Sequence, residues 1–156
     1  METQQSIGAK FRRLWKYYVI QSLLAAFVLC PTVLILGPDK MVVASAIGAT
    51  AFIVFAMPKS ISAQRRNVVG GHLVGLASGA VFYFLKMPHP LAYALAVALT
   101  IFLMVALDVE HPPAAGTALA VVINQVTLDA ILTIMACALI LSQCRHYLRH
   151  RLRDLV

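Results

Sequence analysis

Long apolar runs, interrupted by prolines and small clusters of charge, dominate this chain of 156 residues. Residues 1–16 are polar and basic and close on Lys10-Phe11-Arg12-Arg13-Leu14-Trp15-Lys16. An apolar run follows over 17–36, with Trp15, Tyr17 and Tyr18 placed where amphipathic rings favour a membrane–water boundary. Pro31 predicts a kink within that run. Further runs cover 41–57, ending at Pro58, then 68–84, and 91–107 after Lys86-Met87-Pro88-His89-Pro90. Beyond Asp108-Val109-Glu110-His111-Pro112-Pro113 the apolar sequence continues toward Ser142. It is broken by Asn124-Gln125-Val126-Thr127-Leu128-Asp129, a cluster too polar to face lipid, which divides it into 113–126 and 128–142. The predicted fold class is an all-α membrane protein with about six short transmembrane segments. A basic N-terminus (1–16), a transmembrane unit (17–143) and a basic tail (144–156) make up the chain.

Composition supports lipid as the main solvent. The chain is 61% hydrophobic and 12% charged, with a mean hydropathy of +0.84; soluble domains run near half apolar and a quarter charged. A net charge of +7 would raise nucleic acid as a partner in a soluble protein. Here the basic residues sit between and beyond apolar runs, so membrane topology accounts for them and no nucleic-acid partner is expected. Cys30, Cys137 and Cys144 have no CxxC spacing and read as small apolar helix residues. No metal or cofactor is expected. The first run leads into Gly37-Pro38-Asp39-Lys40 instead of a small-residue cleavage site, so it is expected to stay in the membrane as an anchor.

Charge also orients the segments. With six crossings and a cytoplasmic N-terminus, the cytoplasmic side receives Lys10, Arg12, Arg13, Lys16, Lys59, Arg65, Arg66, Arg145, Arg149, Arg151 and Arg153. Only Lys40 and Lys86 fall on the other side, as the positive-inside rule requires. Five crossings would place the arginine-rich tail outside. The expected location is a bacterial inner (plasma) membrane with both termini cytoplasmic. The segments after the first are at or below the roughly 17–25 residues that span a bilayer. Such shortness suggests burial in protein or partner subunits, and a homo-oligomer is expected.

Two segments echo each other. Ser45-Ala46-Ile47-Gly48-Ala49-Thr50-Ala51 and Pro113-Ala114-Ala115-Gly116-Thr117-Ala118 both open with small residues and pass into bulky apolar sequence. Their spacing fits a 3+3 inverted repeat, whose two helix N-termini would face one another and favour an anion. Close helix packing explains the same small residues equally well. Gly71, Gly75 and Gly79 recur every fourth residue and read as a helix-packing face.

Several residues have chemical potential. His111-Pro112-Pro113 starts a helix, Pro being preorganised for the first helical position. His111 there either binds an anion or relays a proton, or simply fixes the turn. His72, inside a span, is a functional candidate or a neutral packed side chain. Arg65, Arg66 and Asn67 form either a cytoplasmic mouth that attracts anions, with Asn67 capping the next helix, or a plain topology signal. Asp108 and Glu110 read as solvated loop charges or as partners for Arg65 and Arg66. No HExxH, GxSxG or carboxylate-dyad arrangement lies within the spans, so enzymatic activity is not expected.

The ordered set Gly48-Ala49-Thr50-Ala51, Pro58, Ala63-Gln64-Arg65-Arg66-Asn67, Gly70-Gly71-His72 and His111-Pro112-Pro113 resembles the HPP family of small integral membrane proteins. The resemblance implies a transporter, with nitrite or a similar small monovalent anion as substrate. It also implies four transmembrane helices, against the six segments read above, and a proline where this chain has Arg65. A small-anion transporter or channel is therefore expected, its substrate site formed by Ser45, Gly48, Thr50, His72, His111, Pro112, Pro113, Gly116 and Thr117. The rival expectation is a non-transporting membrane subunit or sensor that assembles through its glycine-rich helix.

Overall fold

The computed structural model describes residues 7–36, 40–124 and 127–156. Residues 1–6, residues 37–39, and Gln125 and Val126 of the polar cluster lie outside that description. The described chain forms six α-helices, with a 3-10 turn at Ile61–Ala63. They are α1 (Ile7–Leu36), α2 (Met41–Ala56), α3 (Arg65–Phe84), α4 (His89–Ala106), α5 (Pro113–Asn124) and α6 (Leu128–Leu148).

Four of these, α1, α3, α4 and α6, are long and apolar enough to cross a membrane, whereas α2 and α5 are shorter. At 1.5 Å per residue, the 12 residues of α5 reach only about 18 Å, well short of the roughly 30 Å hydrocarbon core. Four helices reach the length of a full span, and the two short ones rely on enclosure by their neighbours. Helix α5 fits that role, because Ala114, Thr117 and Ala118 are fully buried and α2, α3 and α4 pack around it. In cross-section α1 and α4 lie at the two edges, with α2 and α6, then α3 and α5, between them. Bulky apolar residues on the edge helices point outward, Phe27 and Leu34 at 79% exposure and Phe102 at 67%, as a lipid-facing surface requires. This is an integral membrane protein.

Both terminal helices exceed the expected bounds. Helix α1 already includes Ile7 and the basic stretch after it, because Lys, Arg and Leu are good helix formers and no breaker separates them from the apolar run. It also runs through Pro31 without ending, and Thr32 beside the proline donates its hydroxyl to the Val28 carbonyl at 2.9 Å. Helix α6 continues to Leu148, with Arg145 and His146 in its last turn complementing the helix dipole. The tail beyond it packs down. Leu152 is buried with Ile47, Val54, Val68 and Leu141, and the Leu155 amide donates to the Ala56 carbonyl at 2.9 Å. Gln21, buried in α1, bonds both the carbonyl and the amide of Arg153 at 2.9 Å. The ends of α2, α4 and α6, the starts of α3 and α5, and the tail therefore share one end of the bundle, here called the basic end. At the other end Lys40 pairs with Asp129. The inverted repeat is not confirmed: α2 has 16 residues and α5 only 12.

The glycine face of α3 sets the tightest contact. A Cβ on Gly71 would lie 2.6 Å from the His111 Cβ, and one on Gly75 only 2.4 Å from the Ala114 carbonyl oxygen. One on Gly79 would meet Val121 at 2.6 Å. Gly48 differs, since its nearest neighbour would be Leu29 at 3.8 Å. Gly75→Ala is predicted to lower stability by about 1–3 kcal/mol through overpacking, overriding the up to about 1 kcal/mol of helix propensity that alanine adds. Gly48→Ala should be neutral or slightly stabilising. Thermal unfolding of the two variants in detergent checks both; equal melting temperatures would contradict this packing.

Candidate functional site

The close approach of α3 and α5 brings polar side chains together in the bundle interior. Thr50 comes from the second half of α2, His72 from two turns into α3, and Thr117 from the second turn of α5. His111 comes from the α4–α5 linker. All four are fully buried. The Thr50 hydroxyl lies 2.9 Å from His72 Nε2 and 3.0 Å from His111 Nε2. On the far side of His72, Nδ1 is 2.8 Å from the Thr117 hydroxyl. His111 Nδ1 donates to the Ser62 carbonyl at 2.8 Å. The imidazoles are tilted against each other with centroids 5.1 Å apart.

Local backbone geometry delivers His111. Helix α4 ends with Asp108 in the left-handed region at φ 54°, which aspartate tolerates better than most residues. The Asp108 amide returns to Val105 and the Val109 amide to Met104, closing the helix with a Schellman turn. Arg66 holds the turn by pairing with both the carboxylate and the carbonyl of Asp108. Asn67, also buried, donates to the Glu110 carbonyl at 3.2 Å. Helix α5 then opens at Pro113, with the Ala114 amide on the His111 carbonyl and the Ala115 amide on the Pro112 carbonyl. These first N–H groups are consequently already partnered, and α5 offers no open anion cradle in this conformation. Burial pushes the His111 pKa down to about 4, against a smaller upward pull from the Ser62 carbonyl, so its ring is neutral at pH 7.

Of the expected site residues, Thr50, His72, His111 and Thr117 meet directly. Pro113 is buried beside them, and Gly116 faces Ala46 of α2, where an added Cβ would sit at 3.2 Å. Ser45 and Pro112 are exposed and Gly48 faces α1, so the structure places these three away from the cluster. The N-terminus of α2 also does not face that of α5: the two helices run in opposite directions, and α2 starts at the Lys40–Asp129 end. Asn67 does not cap α3, because Gln64 is extended and the helix begins at Arg65. Arg65 and Arg66 are exposed at the basic end, with Arg66 committed to Asp108. Sequence reading did not identify the Ser62 carbonyl or Gln21. A lone glutamine in an apolar helix was the one available signal for the latter.

The HPP transmembrane region, as a family description, matches residues 9–151. The chain belongs to the HPP family. Two transmembrane proteins of Dictyostelium discoideum are similar to this HPP chain. One is 36% identical over 88 residues, covering 54% of this chain and 31% of the relative. The other is 38% identical over 80 residues, covering 49% and 26% respectively. The HPP chain thus spans about a third or less of the curated relatives it matches. No solved structure matches it.

Thr50 is the hub of the HPP cluster, and Thr50→Val leaves two imidazole nitrogens without a partner. That variant should lose about 1–3 kcal/mol of stability, while Thr50→Ser should recover most of it. Melting temperatures in detergent decide this, and a neutral Thr50→Val would contradict the network. Since the folded pKa of His111 lies below its ordinary 6.5, stability should be full above about pH 6.5 and fall as pH drops toward 4. Unfolding followed across that range checks the sign.

Proposed function

We propose that this chain is a transporter or channel for a small inorganic anion, with nitrite the first candidate through the family resemblance. One observation carries the reading. Two short apolar helices, α2 and α5, meet inside the bundle at a fully buried cluster of hydroxyls and imidazoles. Ionisable groups at such depth are costly and mark functional paths, and interrupted helices are a recognised feature of transporter sites. The hydroxyls of Thr50 and Thr117 and the imidazole N–H groups are neutral donors that become available to a small anion once their present hydrogen bonds open. Passage requires the contact between α5 and α2 at Gly116 and Ala46 to open. In this reading the basic end faces the cytoplasm of a bacterial inner membrane, where Arg65 and its neighbours draw anions in. The protein acts as a homo-oligomer and carries out no enzymatic step.

The second reading, a non-transporting membrane module, is favoured by one observation: bulky apolar side chains on α1 and α4 stay exposed and offer a partner helix a face. Uptake of nitrite into liposomes holding the purified protein separates the two, with formate, nitrate and chloride as competitors. Transport predicts saturable uptake that Gly116→Leu abolishes while the protein stays folded, because leucine wedges α5 from α2. Normal uptake by that variant would remove α5 from the pathway. Absence of flux for all these anions, from folded protein, would favour the module.

A further inference from the structure

When both rings are neutral and each contact from Thr117 to the Ser62 carbonyl is a hydrogen bond, the cluster has a single proton order. A carbonyl can only accept, so His111 Nδ1 carries a proton for Ser62 and its Nε2 is bare. Thr50 must then donate its single proton to His111 Nε2. With that proton committed, His72 Nε2 must donate to the Thr50 oxygen, which leaves His72 Nδ1 bare to accept from the Thr117 hydroxyl. Donors and acceptors therefore run in one direction, from Thr117 through His72, Thr50 and His111 to the Ser62 carbonyl.

A second arrangement keeps every partner and holds one more proton. The Thr50 hydroxyl also lies 3.0 Å from the Ala46 carbonyl. When it turns there, its oxygen can accept from His72 Nε2–H and His111 Nε2–H together. His111 is then doubly protonated, donating to Ser62 and to Thr50. The two arrangements differ by one hydroxyl rotation and one proton. A merely structural histidine needs no such second setting.

We propose that Thr117, His72, Thr50 and His111 form a proton relay that opens toward the basic end at Ser62. It rests on the transport reading for its use, supplying the proton that accompanies the anion, but it is measurable without any anion. In one cycle a proton arrives at the Thr117 oxygen as the Thr117 proton passes to His72 Nδ1. The His72 Nε2 proton passes to Thr50, the Thr50 proton passes to His111 Nε2, and the His111 Nδ1 proton leaves when water replaces the Ser62 carbonyl. One proton is taken up and one released; rotation of the rings and hydroxyls restores the starting order. Helices α2 and α5 contribute no ionisable side chain to the relay. Those of α3 are Arg65 and Arg66 at its start, His72, and Tyr83 at its far end. The linker adds Asp108, bound by Arg66, and Glu110. The loop before α3 adds Lys59, while α6 brings Asp129, bound by Lys40, together with Cys137, Cys144, Arg145, His146 and Tyr147. His89 and Tyr93 of α4 complete the set. Among the described hydrogen bonds none of these reaches the relay.

The test uses purified protein in liposomes containing a pH-reporting dye, with gluconate as anion and a potassium diffusion potential drawing protons inward. Wild-type vesicles should acidify faster than protein-free vesicles, and Thr50→Ser should behave like wild type. Thr50→Val and His72→Gln should fall to the protein-free rate, although glutamine can still hydrogen-bond and support the fold. Wild-type vesicles acidifying no faster than protein-free ones, or His72→Gln conducting like wild type, would overturn the relay. Proton flux without nitrite uptake would keep the relay and remove the transport reading. Nitrite uptake with no proton flux would do the reverse.

Discussion

The backbone contact between α3 and α5 is the constraint on which the interior depends. Three glycines let α5 lie so close that an added methyl group on Gly75 would strike a carbonyl oxygen. In a bilayer, where lipid tails are as apolar as leucine, such close packing is a principal source of helix association. The same approach seats Thr117 against His72 and presses His111 over Gly71. Packing and polar chemistry are therefore one feature here: widening the helix pair would also take apart the cluster.

Holding α5 this way solves a second problem. A helix of 12 residues cannot cross the hydrocarbon core, and its end would expose backbone groups to lipid. Enclosure by α2, α3 and α4 removes that cost. The linker before it is held from several sides, by Arg66 on Asp108, Asn67 on Glu110 and the Ser62 carbonyl on His111. The docked tail ties the middle of α1 to the end of α2 in a similar way through Gln21. The outcome is an interior polar site sealed at the basic end by loops.

Much of this was legible in the sequence because membrane helices obey strong, local rules. Hydropathy located all six helices, and Pro113 and the Gly71, Gly75, Gly79 spacing marked α5 and its packing face. Four of the proposed site residues do meet, because histidine and threonine in apolar segments must find partners inside. Side-chain direction was harder to read. Ser45 and Gly48 sit within a few residues of Thr50, yet the turn of α2 points one outward and the other at α1. Helix ends also escaped, since a basic helix such as the start of α1 carries no hydropathy signal. The Ser62 carbonyl was invisible in principle, because any residue type supplies the same backbone acceptor.

The central claim is that buried hydrogen bonds fix opposite tautomers on the two histidines. Nitrogen-15 NMR of selectively labelled protein in lipid bilayers at neutral pH reads this directly. The account predicts His111 protonated on Nδ1 with a bare Nε2, and His72 protonated on Nε2 with a bare Nδ1. Two rings sharing one tautomer, or both averaging rapidly between forms as in water, would contradict it.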